Sequence, residues 1–363
     1  MSKPLRKSIL LSARGLDPVG SGRQLELVAT GLVAAGWQVH LASTTRGGSV
    51  PDRLAAAGVT VHRLGGRRDV DLGAVARLAR LAARLKPAVI LAWGRGQLLP
   101  ASAARWMSTR TRLAAHLDHA VRGTEAAIAA RFDLVLTTGA ATAASIRTRS
   151  LSTWVVDVPF GVHPAAPSGL SRAAIATRLG LKPDSIWTLC VAPLEPRSRL
   201  ERLLWAIDQL GVVRKDLEHV LVGDGPLLQR LRRRSRVQEL SERLVILPHC
   251  DLLPDLLHEV RLVWQAGDVA CGGAILDGMA VGVPAVSVVS DAARWLIVDG
   301  ETGRIVPALP ESELPRRAFG VLEDPALAAA YAAAARSRAA TVFPAAAMVA
   351  AHVEAVESLV GGR

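Results

Sequence analysis

Short apolar runs alternate with helical patterns along this chain, and one proline- and glycine-rich stretch interrupts them midway. Runs at 8–13, 38–42, 59–64, 88–92, 113–115, 133–137 and 153–158 read as buried strands. Between them lies a helix with Leu25, Val28, Ala29 and Leu32 on one face, closed by Gly36, and further helices at 52–57 and 72–85. Pro159-Phe160-Gly161-Val162-His163-Pro164-Ala165-Ala166-Pro167-Ser168-Gly169 has no periodicity and reads as an interdomain linker. The alternation then restarts, with strands at 186–192, 218–222, 244–247, 262–264 and 285–289 and helices at 200–210, 227–240, 254–260 and 274–281. Residues 311–341 are alanine-rich and helical, and Phe343-Pro344 breaks them before a last helix. Strands joined by helices at this spacing pair in parallel and carry helices on both faces. The prediction is α/β: two doubly wound Rossmann-like domains, 1–163 and 164–342, facing a central cleft, with 343–363 as a separate C-terminal helix. Ligands of such sheets bind beyond the carboxyl ends of the strands, and domain interfaces are favoured ligand sites.

Charge and composition narrow the function. The chain has 363 residues and a net charge of +12, and all but five of its basic residues are arginine. That balance fits nucleic acid, an anionic membrane surface or an acidic substrate. With one tyrosine and four phenylalanines there is no stacking platform for single strands, and no nucleic-acid motif is present, so nucleic acid is set aside. No apolar run approaches the roughly 20 residues of a membrane span. The apolar run after Met1 is too short for a signal-peptide core, which predicts a cytoplasmic protein, and the basic charge is best used in a peripheral contact with an anionic membrane at its inner face. Cys190, Cys250 and Cys271 are widely spaced, and no Cys/His cluster has metal-ligand spacing. They read as reduced core thiols, and neither a metal nor a cofactor is expected.

The chemistry concentrates in Gly272-Gly273-Ala274-Ile275-Leu276-Asp277-Gly278-Met279-Ala280-Val281-Gly282-Val283-Pro284. A glycine-rich turn opening a helix leaves N–H groups for an anion such as a diphosphate. An ordinary α/β connection has the same look.

Residues 217–307 resemble the nucleotide-sugar half of the GT-B-fold, retaining glycosyltransferases of family four (glycosyl transferases group 1). The resemblance rests on Gly223-Asp224-Gly225-Pro226, on Arg243 through Pro248, on Pro254-Asp255-Leu256-Leu257, on Leu276 through Pro284 and on Asp299-Gly300-Glu301-Thr302-Gly303, in that family's order. In the first half Gly20-Ser21-Gly22-Arg23 is similar to the family's first glycine-rich loop, and the final helix to its segment that crosses back to the first domain. The resemblance implies transfer of a sugar from a UDP-, GDP- or ADP-sugar to a hydroxyl of a saccharide or lipid-linked acceptor, with retention and without a metal. Charge on the departing diphosphate is then met by preorganised donors.

On that resemblance the donor site comprises Gly22, Arg23, Gly272, Gly273, Ala274, Asp277 and Asp268, and the catalytic candidates are His116, Arg197 and Arg199. The sequence departs from the family where the chemistry lies. Asp277 stands for the second of two glutamates, and Val269 for the first, with Asp268 beside it. The clamp arginine and lysine fall on Pro193 and Ser198, and Trp93 stands where the family often has histidine. Arg197 and Arg199 are either a relocated clamp or solvated arginines. Arg23 either meets the diphosphate or is a solvated first-turn residue. His116 either contacts the donor sugar or acceptor, or is a hydrogen-bonded strand-end histidine; His119 reads as a surface residue. Asp224 is expected to fix its turn and cap the next helix. The arginines at 230, 232, 233, 234 and 236 are either a solvated face or a contact for an anionic surface. The departures leave an alternative: a degenerate scaffold that binds a nucleotide or a partner without turnover.

Overall fold

The computed structural model describes residues 7–14, 16, 19–43, 50–65, 71–108, 110–118, 121–164 and 166–362; His119 and most of the 15–18 stretch lie outside them. The chain forms two units. One comprises Met1–Asp17, Ser21–Gly161 and Ala345–Arg363, the other Pro18–Gly20 and Val162–Pro344.

In the first unit, strands β1 (Ser8–Ala13), β2 (Gln38–Ser43), β3 (Thr60–Arg63), β4 (Val89–Trp93), β5 (Arg112–Leu117), β6 (Leu134–Thr137) and β7 (Trp154–Asp157) form one parallel sheet. Its order is β3-β2-β1-β4-β5-β6-β7. Every residue of β1 and β4 is buried, as a parallel sheet covered on both faces requires. Helices α1 (Gly20–Ala34) and α2 (Val50–Ala56) share one core with the last helix of the chain, α15 (Ala345–Gly361). There α15 contributes Met348, Ala355, Val356 and Leu359. Gly31 lets it approach α1: a Cβ at Gly31 would lie 2.1 Å from Val349 Cγ1.

A second core on this sheet takes α3 (Leu72–Leu85), α4 (Leu98–Trp106), α5 (Gly123–Ala129) and α6 (Ala140–Arg147). The bounds of α3 follow from its sequence. Asp71 Oδ1 accepts the Ala74 N–H at 3.1 Å, an N-cap. Lys86, at φ 47°, returns its N–H to Ala82 O at 2.8 Å before Pro87.

The second unit repeats the plan. Strands β8 (Ile186–Val191), β9 (Leu217–Val222), β10 (Leu244–Leu247), β11 (Leu262–Gln265), β12 (Ala285–Val288) and β13 (Gly303–Val306) pair in parallel in the order β10-β9-β8-β11-β12-β13. Around it lie α7 (Arg172–Leu179), α8 (Leu200–Val213), α9 (Leu228–Val237), α10 (Leu253–Glu259), α11 (Ile275–Val281), α12 (Asp291–Leu296), α13 (Glu313–Glu323) and α14 (Pro325–Val342). Trp264 and the leucines of α8 centre its core. Each sheet is a doubly wound, Rossmann-like layer. Strand order reverses between β1 and β4 in the first and between β8 and β11 in the second. The loops leaving those strands flank the crevice where such sheets hold ligands. Strand β13 and helices α4, α5, α6, α7 and α12 are not announced by the sequence pattern.

Candidate functional site

In the second unit the candidates fall on the two loops that leave β8 and β11. The β8 loop runs through Ala192-Pro193-Leu194-Glu195 into a single 3₁₀ turn, Pro196–Ser198. Ser198, at the family's lysine position, is buried and donates from Oγ to Pro193 O at 2.6 Å. It braces the loop and supplies no charge. Arg197 is half-buried, with Nε 3.3 Å from Glu195 Oε2. Arg199 is exposed at φ 51°, directly before α8. The loops run side by side, since the Asp268 N–H donates to Arg197 O at 3.2 Å.

The β11 loop carries the glycines. Gln265 closes the strand by donating from Nε2 to Val191 O at 2.7 Å. Gly273 sits on that link, where a Cβ would lie 2.1 Å from Val191 O and 2.2 Å from Gln265 Nε2. Gly273 is therefore required by close packing at φ +60°. The expectation that both glycine N–H groups stand open is corrected. Those of Gly272 and Gly273 donate to Val269 O and Ala270 O, at 3.0 and 3.1 Å. Ala274 is the N-cap of α11. Val269, at the family's first glutamate position, is a core residue, and Asp268 beside it is exposed. Asp277 lies in the first turn of α11, buried, and its Oδ2 accepts the N–H of Gly20, which groups with this unit, at 2.9 Å.

Asp224 fixes its turn, accepting the Gly225 N–H at Oδ1 (2.8 Å). It does not cap the next helix, which starts at Leu228 with Leu227 as N-cap and no side-chain cap bond.

In the first unit the β4 and β5 ends build a buried aromatic cluster. Trp93 and His116 are register partners, and their rings stack at 3.9 Å between centroids, 8° from parallel. Trp93 Nε1 donates to Ser21 Oγ at 3.0 Å, and Ser21 Oγ donates to Asp118 Oδ2 at 2.8 Å. His116 Nδ1 lies 3.0 Å from Nε2 of His352, on α15. His352 Nδ1 is 2.8 Å from Met348 O.

A carbonyl only accepts, so His352 Nδ1 carries the proton and its Nε2 accepts from His116 Nδ1–H. The network thus assigns neutral His116 the Nδ1–H tautomer, leaving Nε2 as the acceptor nitrogen. Burial pushes His352 down to about 4, against a smaller upward pull from Met348 O, so it is neutral near pH 7. His352, Ser21 and Asp118 were absent from the sequence candidates; a lone histidine in the alanine-rich Ala350-Ala351-His352 was the available signal.

Gly22 is buried in the first turn of α1. The Arg23 guanidinium is half-buried and pairs with Glu26 at 3.1 Å. Glu26 also holds Arg53 bidentately, at 2.7 and 3.0 Å. Burial alone would raise the Glu26 carboxyl, but Arg53 and Arg23 together hold it below its usual range. The charge of Arg23 is thus committed within its own helix.

Residues 186–324 match the family described as glycosyl transferases group 1. A GDP-mannose-dependent alpha-(1-6)-phosphatidylinositol monomannoside mannosyltransferase of Mycolicibacterium smegmatis is 30% identical over 181 residues, 47% of this chain and 47% of that protein. A phosphatidyl-myo-inositol mannosyltransferase of the same organism is 29% identical over 153 residues, 40% of this chain and 38% of that protein. The matches thus span less than half the length of these curated relatives. Among solved structures, Anabaena Alr3699/HepE in complex with UDP-glucose superposes with a TM-score of 0.77 at 19% identity, covering 97% of this chain and 99% of that one. Residues 186–324 therefore match the glycosyl transferases group 1 family, and the chain that carries them has the GT-B fold.

Proposed function

We propose that this protein transfers a sugar from a nucleoside-diphosphate sugar to a hydroxyl of a lipid-linked or saccharide acceptor, with retention and without a metal. The observation that carries the proposal is the pair of adjoining loops at the β8/β11 switch point, which brings Arg197, Arg199, Asp268 and Asp277 to one edge of a group 1 domain. In the transition state charge grows on the departing diphosphate. Arg197 and Arg199 supply the positive charge that meets it, in place of the family's clamp. Asp277 and Asp268 act as acceptors toward donor hydroxyls. His116, held as the Nδ1–H tautomer, presents Nε2 as an acceptor suited to a sugar hydroxyl. The named relatives act with GDP-mannose or on phosphatidylinositol derivatives, and a structural neighbour binds UDP-glucose. These support a nucleotide-sugar donor and an acceptor at a membrane, which the protein meets peripherally from the inner face.

The test is a thermal-shift and donor-hydrolysis panel over UDP-, GDP- and ADP-sugars, followed by transfer to several lipid and saccharide acceptors. Binding with turnover is the expected result. No binding of any nucleotide overturns the proposal. Binding without hydrolysis or transfer favours the non-catalytic scaffold, which the valine, proline and serine at three family positions motivate.

A further inference from the structure

We infer that the outer face of the α3–α6 layer in the first unit is a docking surface for an anionic lipid bilayer. This specifies the peripheral contact proposed above and does not depend on the transfer chemistry. The four helices pack side by side and bury one face on the sheet through residues such as Leu78, Leu81, Leu98 and Ala101. Their opposite face carries apolar side chains into solvent. Leu72, Leu99, Trp106, Met107 and Leu151 are the large exposed hydrophobics of this unit among the described residues; the first four lie on α3 and α4 or directly at the end of α4, and Leu151 follows α6. Trp106 is 86% exposed. Leu99 and Trp106 are seven residues apart, so they share one stripe of α4.

Isolated exposed leucines need no explanation; a tryptophan, a methionine and two leucines on two adjoining helices do. The stretch of chain that builds this layer, together with β4, β5 and β6, is strongly basic. Residues 71–150 hold twelve Lys and Arg against four Asp and Glu, two thirds of the chain's net +12. Arg77, Arg80 and Arg84 form an exposed stripe along α3, the helix packed against α4. Apolar and aromatic groups among arginines are the composition that sits in a headgroup region, with the rings at the acyl boundary and the guanidinium groups at the phosphates. A second copy of this face would meet it with like charge, which argues against self-association. The arginine-rich helix α9 is a poorer candidate, because among the described residues its large exposed hydrophobic is Val237 alone.

The test is flotation of the full chain with vesicles of phosphatidylcholine alone and of phosphatidylcholine with one third phosphatidylglycerol. Binding to the anionic vesicles only, falling as salt rises, is expected. At about fivefold per basic residue near the surface, R80E/R84E should weaken binding by about 25-fold or more. W106S removes most of one buried ring and should weaken it about tenfold. Brominated lipid should quench wild-type emission more than that of W106F. Thermal shift with the donor nucleotide should be unchanged in all three variants, so failure of docking and failure of the transferase proposal are separable. Absence of binding to anionic vesicles, unchanged binding of both R80E/R84E and W106S, or a dimer that W106S dissolves each overturns the inference.

Discussion

Replacing His352 with glutamine tests the buried histidine pair, because it removes a titrating ring and keeps a polar side chain of similar reach. His352 is fully buried, and its folded-state value is about 4 against an ordinary 6.5. The unfolded chain therefore binds the proton more readily than the folded one. Between those two values unfolding takes up a proton, so stability is fully present above pH 6.5 and is lost as pH falls toward 4. At 1.36 kcal/mol per unit the whole window is worth about 3 kcal/mol, and about 2 of these are lost between pH 6.5 and 5. The assay is urea unfolding of wild type and H352Q at pH 7.5, 6.0 and 5.0, following the transition of the first unit. Wild type should lose about 2 kcal/mol more than H352Q over that range. At pH 7.5 the variant should be weaker by about 1–3 kcal/mol, because a flexible amide replaces a fully buried ring packed on Trp93 and His116 and no longer fixes the acceptor for His116 Nδ1–H in place. A parallel pH dependence in the two proteins would refute the claim that His352 is held neutral by burial. If His116 acts through Nε2, H352Q should also lower kcat more than it raises KM, since the tautomer is then no longer imposed.

Other positions give sharper contrasts. Arg197→Ala and Arg199→Ala should each lower turnover by about 10²–10³ if they stabilise the leaving diphosphate, with little change in melting temperature; unchanged rates in both would favour the scaffold. Gly273→Ala should destabilise the second unit by about 2 kcal/mol or more, since its Cβ meets Val191 O and the Gln265 amide; a melting curve checks this. Glu26→Gln should cost about 1–3 kcal/mol by leaving Arg53 and Arg23 without their carboxylate. The Glu26 carboxyl is held below its ordinary 4.5, so its stabilisation is present above that value and fades as pH falls through the depressed one. The wild-type excess over the glutamine variant should therefore shrink in unfolding measurements below pH 4.5.

The two parallel sheets were legible in sequence because their strands are buried on both faces and show as unbroken apolar runs; β1 and β10 match the sequence reading residue for residue. Helix α3 matches too, since its Asp71 cap, strong amphipathic stripe and Lys86-Pro87 stop are all local. The missed helices have weaker local signals. Helix α4 carries Pro100 in its first turn, α6 is nearly all alanine and small polar residues, and α12 has six residues. Strand β13 hid inside a glycine turn motif. The candidate site was less legible for a different reason. The partner that sets the His116 tautomer lies 236 residues away, and the acceptors of the Gly272 and Gly273 N–H groups are set by a 3₁₀ turn that composition does not announce. In sequence Gly273 suggests an opening for a ligand, and the fold uses it to let one loop lie on another.

The placement of α15 has a consequence for biosynthesis. The first unit finishes its hydrophobic core with Met348, Ala355, Val356 and Leu359 and completes its buried histidine pair with His352, all encoded after the second unit. On the ribosome, where domains ordinarily fold in order of emergence, residues 162–344 can close their own sheet while the earlier-made sheet still shows bare leucines on its α1 side. Chaperone demand should therefore fall on the half of the protein that is translated first. A nascent chain arrested just before residue 345 should bind trigger-type chaperones through its amino-terminal half and release them once α15 emerges.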